Sequence, residues 1–335
     1  MDPLSQGLLA ANVSQLTAVR KNWLFPTLLG FAAGLAADVD IFIRSQKDPL
    51  LFLEYHRQFT HSLIFIPFGA LIVTLLSRVI THRYISWKLN YLSCLLGYST
   101  HALLDACTSY GTQLFWPFSN DRIAWNIISI IDPIFTLPIL IFVVVAAVKR
   151  SNIFVIIGIF WALSYLSIGI FQKERAFESA KILALSRGHF TQNLTVKPSF
   201  ANLIVWKSIY EFNGFYYVDA IRLTDNTRYC SGERVEKLNF SKHLPTLDRS
   251  SRQSMDIERF RWFSNGYLSF DLRKNLVFDV RYSMLPNRID PLWGIIINTN
   301  TKHTEHVHWW EPKGPNAERL KNLIKLVRGK NCIAN

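Results

Sequence analysis

Cysteine is scarce in this chain: four in 335 residues, at positions 94, 107, 230 and 332, with no CxxC pair among them. That spacing argues against a thiolate zinc site. Cys230 and Cys332 can pair only if their part of the chain is exported, and buried free thiols are the simpler expectation. Acidic residues are in deficit too, 24 against 37 Lys and Arg, for a net charge of +13. No basic run is interleaved with aromatics as base stacking would require, so nucleic acid is not an expected partner. No secretory leader is expected either. Arg20 and Lys21 follow the first apolar stretch instead of preceding it, and no small-residue cleavage site comes after. The N terminus is therefore expected to stay in the mature protein.

What the chain has instead is apolar residues, 50% of the total, with a mean hydropathy of +0.14. They concentrate before about residue 171, in runs near the ~20 residues a membrane helix needs. The remainder reads as an aqueous domain. The expected fold is therefore an α-helical integral membrane domain over 1–171, with four to six membrane segments, followed by a small β-rich (α+β) extramembrane domain over 172–335. The basic excess fits, because Lys and Arg gather in cytoplasmic loops and near anionic headgroups.

Six stretches are candidates for crossing: 4–19, 23–37, 61–80, 87–106, 127–148 and 152–171. Polar Ser5, Gln6, Asn12, Ser14 and Gln15 interrupt the first, and the second is short, so either could instead be a re-entrant or bundle-buried helix. If all six cross, the links holding Arg20 and Lys21, then Arg78, Arg83 and Lys88, then Lys149 and Arg150 share one side. The positive-inside rule makes that side cytoplasmic. The 38–60 and 107–126 loops and everything after 171 then lie on the non-cytoplasmic side. The expected location is a bacterial inner membrane.

This topology gathers chemistry. His61 opens the third stretch, with Thr60 as its expected N-cap, while His101 and Asp105 close the fourth. In HALLD the histidine and aspartate are four apart and share a helix face, a spacing that can hold one divalent ion. Asp38 and Asp40 in ADVD end the second stretch, and His56 stands before the third. Asp2 joins them if the first stretch crosses. Ionisable groups at membrane depth are costly and usually functional. Singly, each motif also fits a solvated helix end or an interfacial anchor. Together they supply imidazole and carboxylate ligands for one or two ions, zinc or manganese sooner than calcium, and fit the two-metal logic of phosphoester hydrolysis. Arg57 is a candidate catalytic cation for charge developing on a substrate. Asp132, before Pro133, is a candidate site residue or a helix cap.

The segments MDPLSQGLLAA, ADVD, YHRQFTHS, HALLDACTSYGTQLFWPFS and IIDPIF occur in the order seen in the YdjM-like family of membrane-bound, metal-dependent hydrolases, which residues 1 to about 140 resemble. The resemblance implies a helical hydrolase core whose polar set is Asp2, Asp38, Asp40, His56, His61, His101 and Asp105. Where the family's opening pattern usually carries a histidine, this chain has Gln6. By a more distant analogy to zinc-dependent phospholipase C and single-strand nucleases, it also raises the expectation of phosphoester substrates. Tyr110, Trp116, Phe118 and Trp125 form an aromatic loop on the same side, suited to headgroup anchoring or to covering the site.

After Phe171, residues 172–188 read as a helix leading out of the bilayer, and the stretches 203–212, 214–223, 266–273, 275–284 and 292–300 as strands, with hairpin turns at 264–266 and 273–275. His303, His306 and His308 lie in an expected solvent-facing strand, with metal binding as the less favoured alternative. The segment 321–330 reads as a short basic amphipathic helix, set against the sheet or against anionic lipid. The function expected is hydrolysis of a phosphoester on a lipid or lipid-linked substrate. Membrane lipids are the expected partners. The rival readings are a transporter or proton or metal pathway using the same His and Asp groups, and a non-catalytic scaffold.

Overall fold

The computed structural model describes every residue except 20, 21, 300, 313, 315, 316, 331 and 335. Arg20 and Lys21, part of the charge bias above, thus lie outside the described residues. The chain divides into two compact units. The first is Met1–Phe42, Tyr55–Phe171 and Phe200–Asn202; the second is Ile43–Glu54, Gln172–Ser199 and Leu203–Asn335. In chain order the helices of the amino-terminal half are α1 (Pro3–Ser14), α2 (Leu24–Ala36), the short α3 (Leu51–Tyr55), α4 (Ile66–Thr81), α5 (Trp87–Cys107), α6 (Pro133–Lys149) and α7 (Asn152–Ser186).

The first unit has its polarity inverted relative to a water-soluble bundle. Phe68, Leu76, Val79, Ile141, Val148 and Phe160 are exposed, whereas Gln6, Asn12, Gln15, Thr74, Asn90 and Ser93 are buried. In lipid this is the low-energy arrangement, because apolar side chains need no partner there and polar ones do. Leu24–Phe42, Leu63–Thr81 and Asn152–Ser186 are long and apolar enough to cross a membrane, and Pro133–Lys149 is a shorter apolar helix. At the centre, α1, α2 and α5 approach closely over glycine. An ideal Cβ on Gly97 would sit 2.7 Å from the Gly30 carbonyl oxygen, and one on Gly34 would sit 2.3 Å from Ala10 Cβ. Gly30 and Gly34 are four apart on α2, the small-xxx-small spacing that lets membrane helices meet backbone to backbone.

Several boundaries differ from those expected. The first stretch forms a 12-residue helix and a single 3₁₀ turn, Gln15–Thr17. Such a helix rises about 18 Å, short of the ~30 Å hydrocarbon core. With Ser5 through Asn12 all buried, α1 is a bundle-buried element and not a full crossing. Thr60 does not cap the third stretch: it lies in a 3₁₀ turn, Phe59–His61, and its hydroxyl donates to Asp40. The α-helix begins only at Ile66. The fifth stretch starts at Pro133, because proline suits a first helical turn and Asp132 caps it. The sixth stretch and the polar residues after it are one continuous helix of 35 residues.

The second unit holds two antiparallel sheets. The five-stranded sheet runs β1 (Gln192–Pro198), β2 (Val205–Phe212), β3 (Phe215–Leu223), β4 (Thr227–Glu236) and then β9 (Ile333–Ala334). The four-stranded sheet runs β5 (Leu268–Asp271), β6 (Leu276–Asp279), β7 (Gly294–Ile296) and β8 (His308–Trp310). Ile209, Tyr216 and Val218 of the first sheet meet Leu276, Phe278 and Val280 of the other chain stretch in one core. Helices α8 (Phe240–His243), α9 (Arg252–Phe263) and α10 (Ala317–Val327) complete the unit. Residues 264–266 are not a hairpin but the exit from α9, where Asn265 and Gly266 take positive φ. Cys230 and Cys332 are disulfide-bonded, against the expectation of free thiols, since pairing β9 with β4 brings them together. Leu323 and Leu326 bury the inner face of α10.

Candidate metal centre

Three elements of the first unit deliver the candidate ligands to one place. A 3₁₀ turn, Ala37–Phe42, continues α2 and carries Asp38 and Asp40. His61 ends the 3₁₀ turn before α4, while His101 and Asp105 lie on one face of α5 in its last two turns. His61, His101 and Asp105 are wholly buried, whereas the Asp38 side chain keeps 28% of its exposure and marks the open side.

The donor atoms converge. His61 Nε2 and His101 Nε2 are 2.9 Å apart. Asp38 Oδ1 lies 3.5 Å from the first and 3.4 Å from the second, and Asp105 Oδ2 lies 3.2 Å and 3.6 Å from them. For tetrahedral ligation with bonds of about 2.0–2.1 Å, the ligand–ligand edge is about 3.3–3.4 Å. The separations bracket that edge.

The far sides of both rings fix which nitrogen faces inward. His101 Nδ1 donates to the Gly34 carbonyl at 2.5 Å, which leaves Nε2 as a lone pair if the ring is neutral. Thr60 Oγ1 gives its proton to Asp40 Oδ2 at 2.7 Å and lies 3.0 Å from His61 Nδ1, so the ring nitrogen is the donor in that contact. Asp40 Oδ2 itself is 3.2 Å from His61 Nδ1. Neutral rings held this way point two lone pairs at each other beside two carboxylates. Buried Asp105 Oδ2 accepts no aligned hydrogen bond. A cation among these four atoms satisfies all of them. The partners of the two Nδ1 atoms, a carbonyl and a hydroxyl backed by a carboxylate, are those that orient metal-bound histidines.

Around this core the remaining polar residues have other tasks. Asp40 closes the neck of the 43–54 excursion: it takes His56 Nδ1 at 2.7 Å, the Arg57 amide at 2.9 Å and the Thr60 hydroxyl. With Asp38 and His56, it forms a second group whose ligand atoms lie within 4.8 Å of one another. Burial holds the His56 imidazole below its ordinary pKa despite its bond to Asp40, and the neighbouring Arg57 adds to the effect. Arg57, in the left-handed region at φ 64°, pairs through Nε with Asp105 Oδ2 at 3.0 Å and reaches Thr108 at 3.1 Å. Its guanidinium covers the Tyr110 ring at 4.8 Å, so Tyr110 of the aromatic loop lies beside the site. Phe118 of the same loop is exposed. Gln6 Nε2 donates to Asp105 Oδ1 at 2.8 Å, and the Met1 amino group pairs with the same oxygen. Gln6 thus supports a ligand through the oxygen turned away from the histidines.

Two sequence-derived candidates fall elsewhere. Asp2 caps α1, accepting from the Ser5 amide and hydroxyl. Asp132 caps α6 and accepts from Tyr165 at 2.8 Å. Neither belongs to a metal-ligand group among the described residues. In the second unit His306 is bound to Asp256 at 2.8 Å and His303 to Asp248 at 2.9 Å; with His308, they too stand outside any such group. The roles of Gly34 and Thr60 were not read from the sequence. The GLAAD context of Gly34 and the FTHS context of Thr60 carry no ligand signal; only the fold places a carbonyl or a hydroxyl behind a ring.

A family model described as YdjM inner membrane protein matches residues 1–176. No curated protein and no solved structure matches the chain. The match covers more than half of the sequence and contains every residue of the buried His/Asp group, and the chain belongs to this family.

Proposed function

For this member of the YdjM inner membrane protein family, we propose a metal-dependent hydrolase acting on a phosphoester of a lipid or lipid-linked substrate. The observation that carries the reading is the pair of buried imidazoles with facing Nε2 atoms, flanked by Asp38 and Asp105 and oriented from behind by Gly34 and Thr60. Zinc or manganese suits these imidazole and carboxylate donors. When bound, such an ion supplies Lewis acidity toward a phosphoryl oxygen and lowers the pKa of a water at the site. The Asp38, Asp40 and His56 group is the place for a second ion.

The chain's own residues account for the rest. Asp38, partly exposed, lies on the side from which substrate enters. Arg57 is held beside Asp105 and Tyr110, where its cation can stabilise negative charge gathering on a phosphoryl group. Exposed Phe118 and Trp125 suit the headgroup layer, which favours a substrate anchored in the bilayer. Sidedness follows from charge: Arg78, Arg83 and Lys88 flank the link from α4 to α5, and Lys149 and Arg150 the link from α6 to α7. Those links belong on the cytoplasmic side and the metal site on the other. The Cys230–Cys332 disulfide favours an oxidising compartment for the second unit.

The test is turnover of a panel of phospholipid and isoprenoid-linked phosphoesters by the purified chain loaded with zinc or manganese, with release of phosphate or headgroup as the readout. Hydrolysis is expected for wild type, with kcat about 10²–10³-fold lower in Arg57→Ala while metal content is retained. No turnover across the panel by metal-loaded protein would overturn the reading.

A further inference from the structure

The segment between the two halves of the metal site belongs to the other unit. Asp38 and Asp40 precede it, His56 and Arg57 follow it, and all four lie in the first unit, yet Ile43–Glu54 packs as part of the second. One side chain dominates its attachment. Arg259, on α9, takes Asp48 through both terminal nitrogens at 3.0 and 2.9 Å, Glu54 through Nε at 2.5 Å and Asp256 at 2.9 Å. Asp256 is itself fixed by His306 Nδ1 at 2.8 Å and the Val307 amide at 3.2 Å. Apolar contacts add to the hold: Phe52 meets Trp309 edge to face at 5.1 Å, and Leu50 and Leu53 are buried.

A bidentate guanidinium–carboxylate pair with a second carboxylate on Nε is a directional clamp, stronger and stiffer than an isolated surface ion pair. Glu54, one of its two anchors on the segment, is two residues from His56 and three from Arg57. Their return to the site is then fixed at the neck by Asp40. On top of the metal-site reading, we propose that Arg259 is a positioning residue for the metal centre. By anchoring Asp48 and Glu54, Arg259 orders the segment that leads into His56, Arg57 and His61, and so sets their register against Asp38 and Asp40.

The experiment uses the full chain in lipid nanodiscs, as wild type, Arg259→Ala, Arg259→Lys and the double variant Asp48→Asn with Glu54→Gln. Amide hydrogen exchange over 55–61 is read in each, with Co²⁺ affinity and the visible spectrum of the Co²⁺-loaded site. In Arg259→Ala and in the double variant, exchange over 55–61 is expected to rise at least tenfold. Co²⁺ affinity should fall about tenfold, as when groups supporting metal ligands are lost, and the spectrum should shift. Arg259→Lys should recover part of each change, since it restores the charge without the fork. Faster exchange confined to 43–54, with 55–61 and the spectrum unchanged, overturns the proposal. If wild type binds no Co²⁺, the metal reading fails, and exchange over 55–61 still decides whether the clamp positions that segment. The double variant guards against a folding defect in α9, because it alters only side chains on the segment.

Discussion

At the scale of single residues, the site is defined by what lies behind the ligands as much as by the ligands. His101 would be an ordinary buried histidine without the Gly34 carbonyl on its Nδ1, and His61 would be free to turn without Thr60 and Asp40. Asp40 accepts from His56, the Arg57 amide and Thr60 and stands behind the His61 ring. Asp40→Asn is therefore expected to weaken the primary ion by about 10–100-fold without abolishing binding. Competition against a chelator of known affinity measures this. Complete loss of the ion would make Asp40 a ligand of that ion, and an unchanged affinity would remove it from the site. The His/Asp set was legible in the sequence because charge is rare in membrane helices, so each ionisable residue stands out against its run. Asp2 and Asp132 stood out for the same reason, but both serve as helix caps. A cap and a ligand are the same carboxylate in sequence; only the direction in which it points separates them.

At the scale of elements, glycine sets the distances. The α2–α5 approach at Gly30 and Gly97 brings the Gly34 carbonyl within reach of His101, which is four residues from Gly97 on the same helix face. Gly97→Val places carbon where the Gly30 carbonyl stands, so α5 must shift away from α2. The expected result is at least a tenfold loss of metal affinity in a protein that still inserts. Elemental analysis of the nanodisc-embedded variant checks it, with wild-type metal content as the contrary outcome. The elements themselves were legible to different degrees. Strands β2, β3 and β6 are rich in aromatic and β-branched residues and show in the sequence, as does amphipathic α10. The strand β4, TRYCSGERVE, is polar along most of its length and takes its place through pairing with β3. Helix α9, RQSMDIERFRWF, has no long apolar run, and its buried face emerges only when Ile257, Phe260 and Phe263 meet the core. The start of α4 was misplaced because the Thr60 hydroxyl is engaged by Asp40, a partner remote in sequence.

At the scale of the whole molecule, a helical unit with lipid-type polarity is joined in one chain to a β-rich unit closed by a disulfide. The proposed sidedness is tested directly by Cys230→Ser, which frees Cys332. In cells with a permeabilised outer membrane and an intact inner one, a membrane-impermeant maleimide should label Cys332. Labelling only after the inner membrane is opened would invert the topology. Cys94 and Cys107, both buried, leave the background low. The division into units was partly open to sequence reading, since composition changes near residue 171. The allocation of Ile43–Glu54 to the second unit was not, because it depends on Arg259, more than two hundred residues away from Asp48.

His61, His101, Asp38 and Asp105 are proposed to hold a divalent ion. Elemental mass spectrometry on the purified, folded chain, after reconstitution with zinc or manganese and removal of free ion, tests it most directly. One or two ions per wild-type chain are predicted, with loss of the primary ion in both His61→Ala and His101→Ala. No bound ion in wild type, or equal content in wild type and both variants, would contradict the claim.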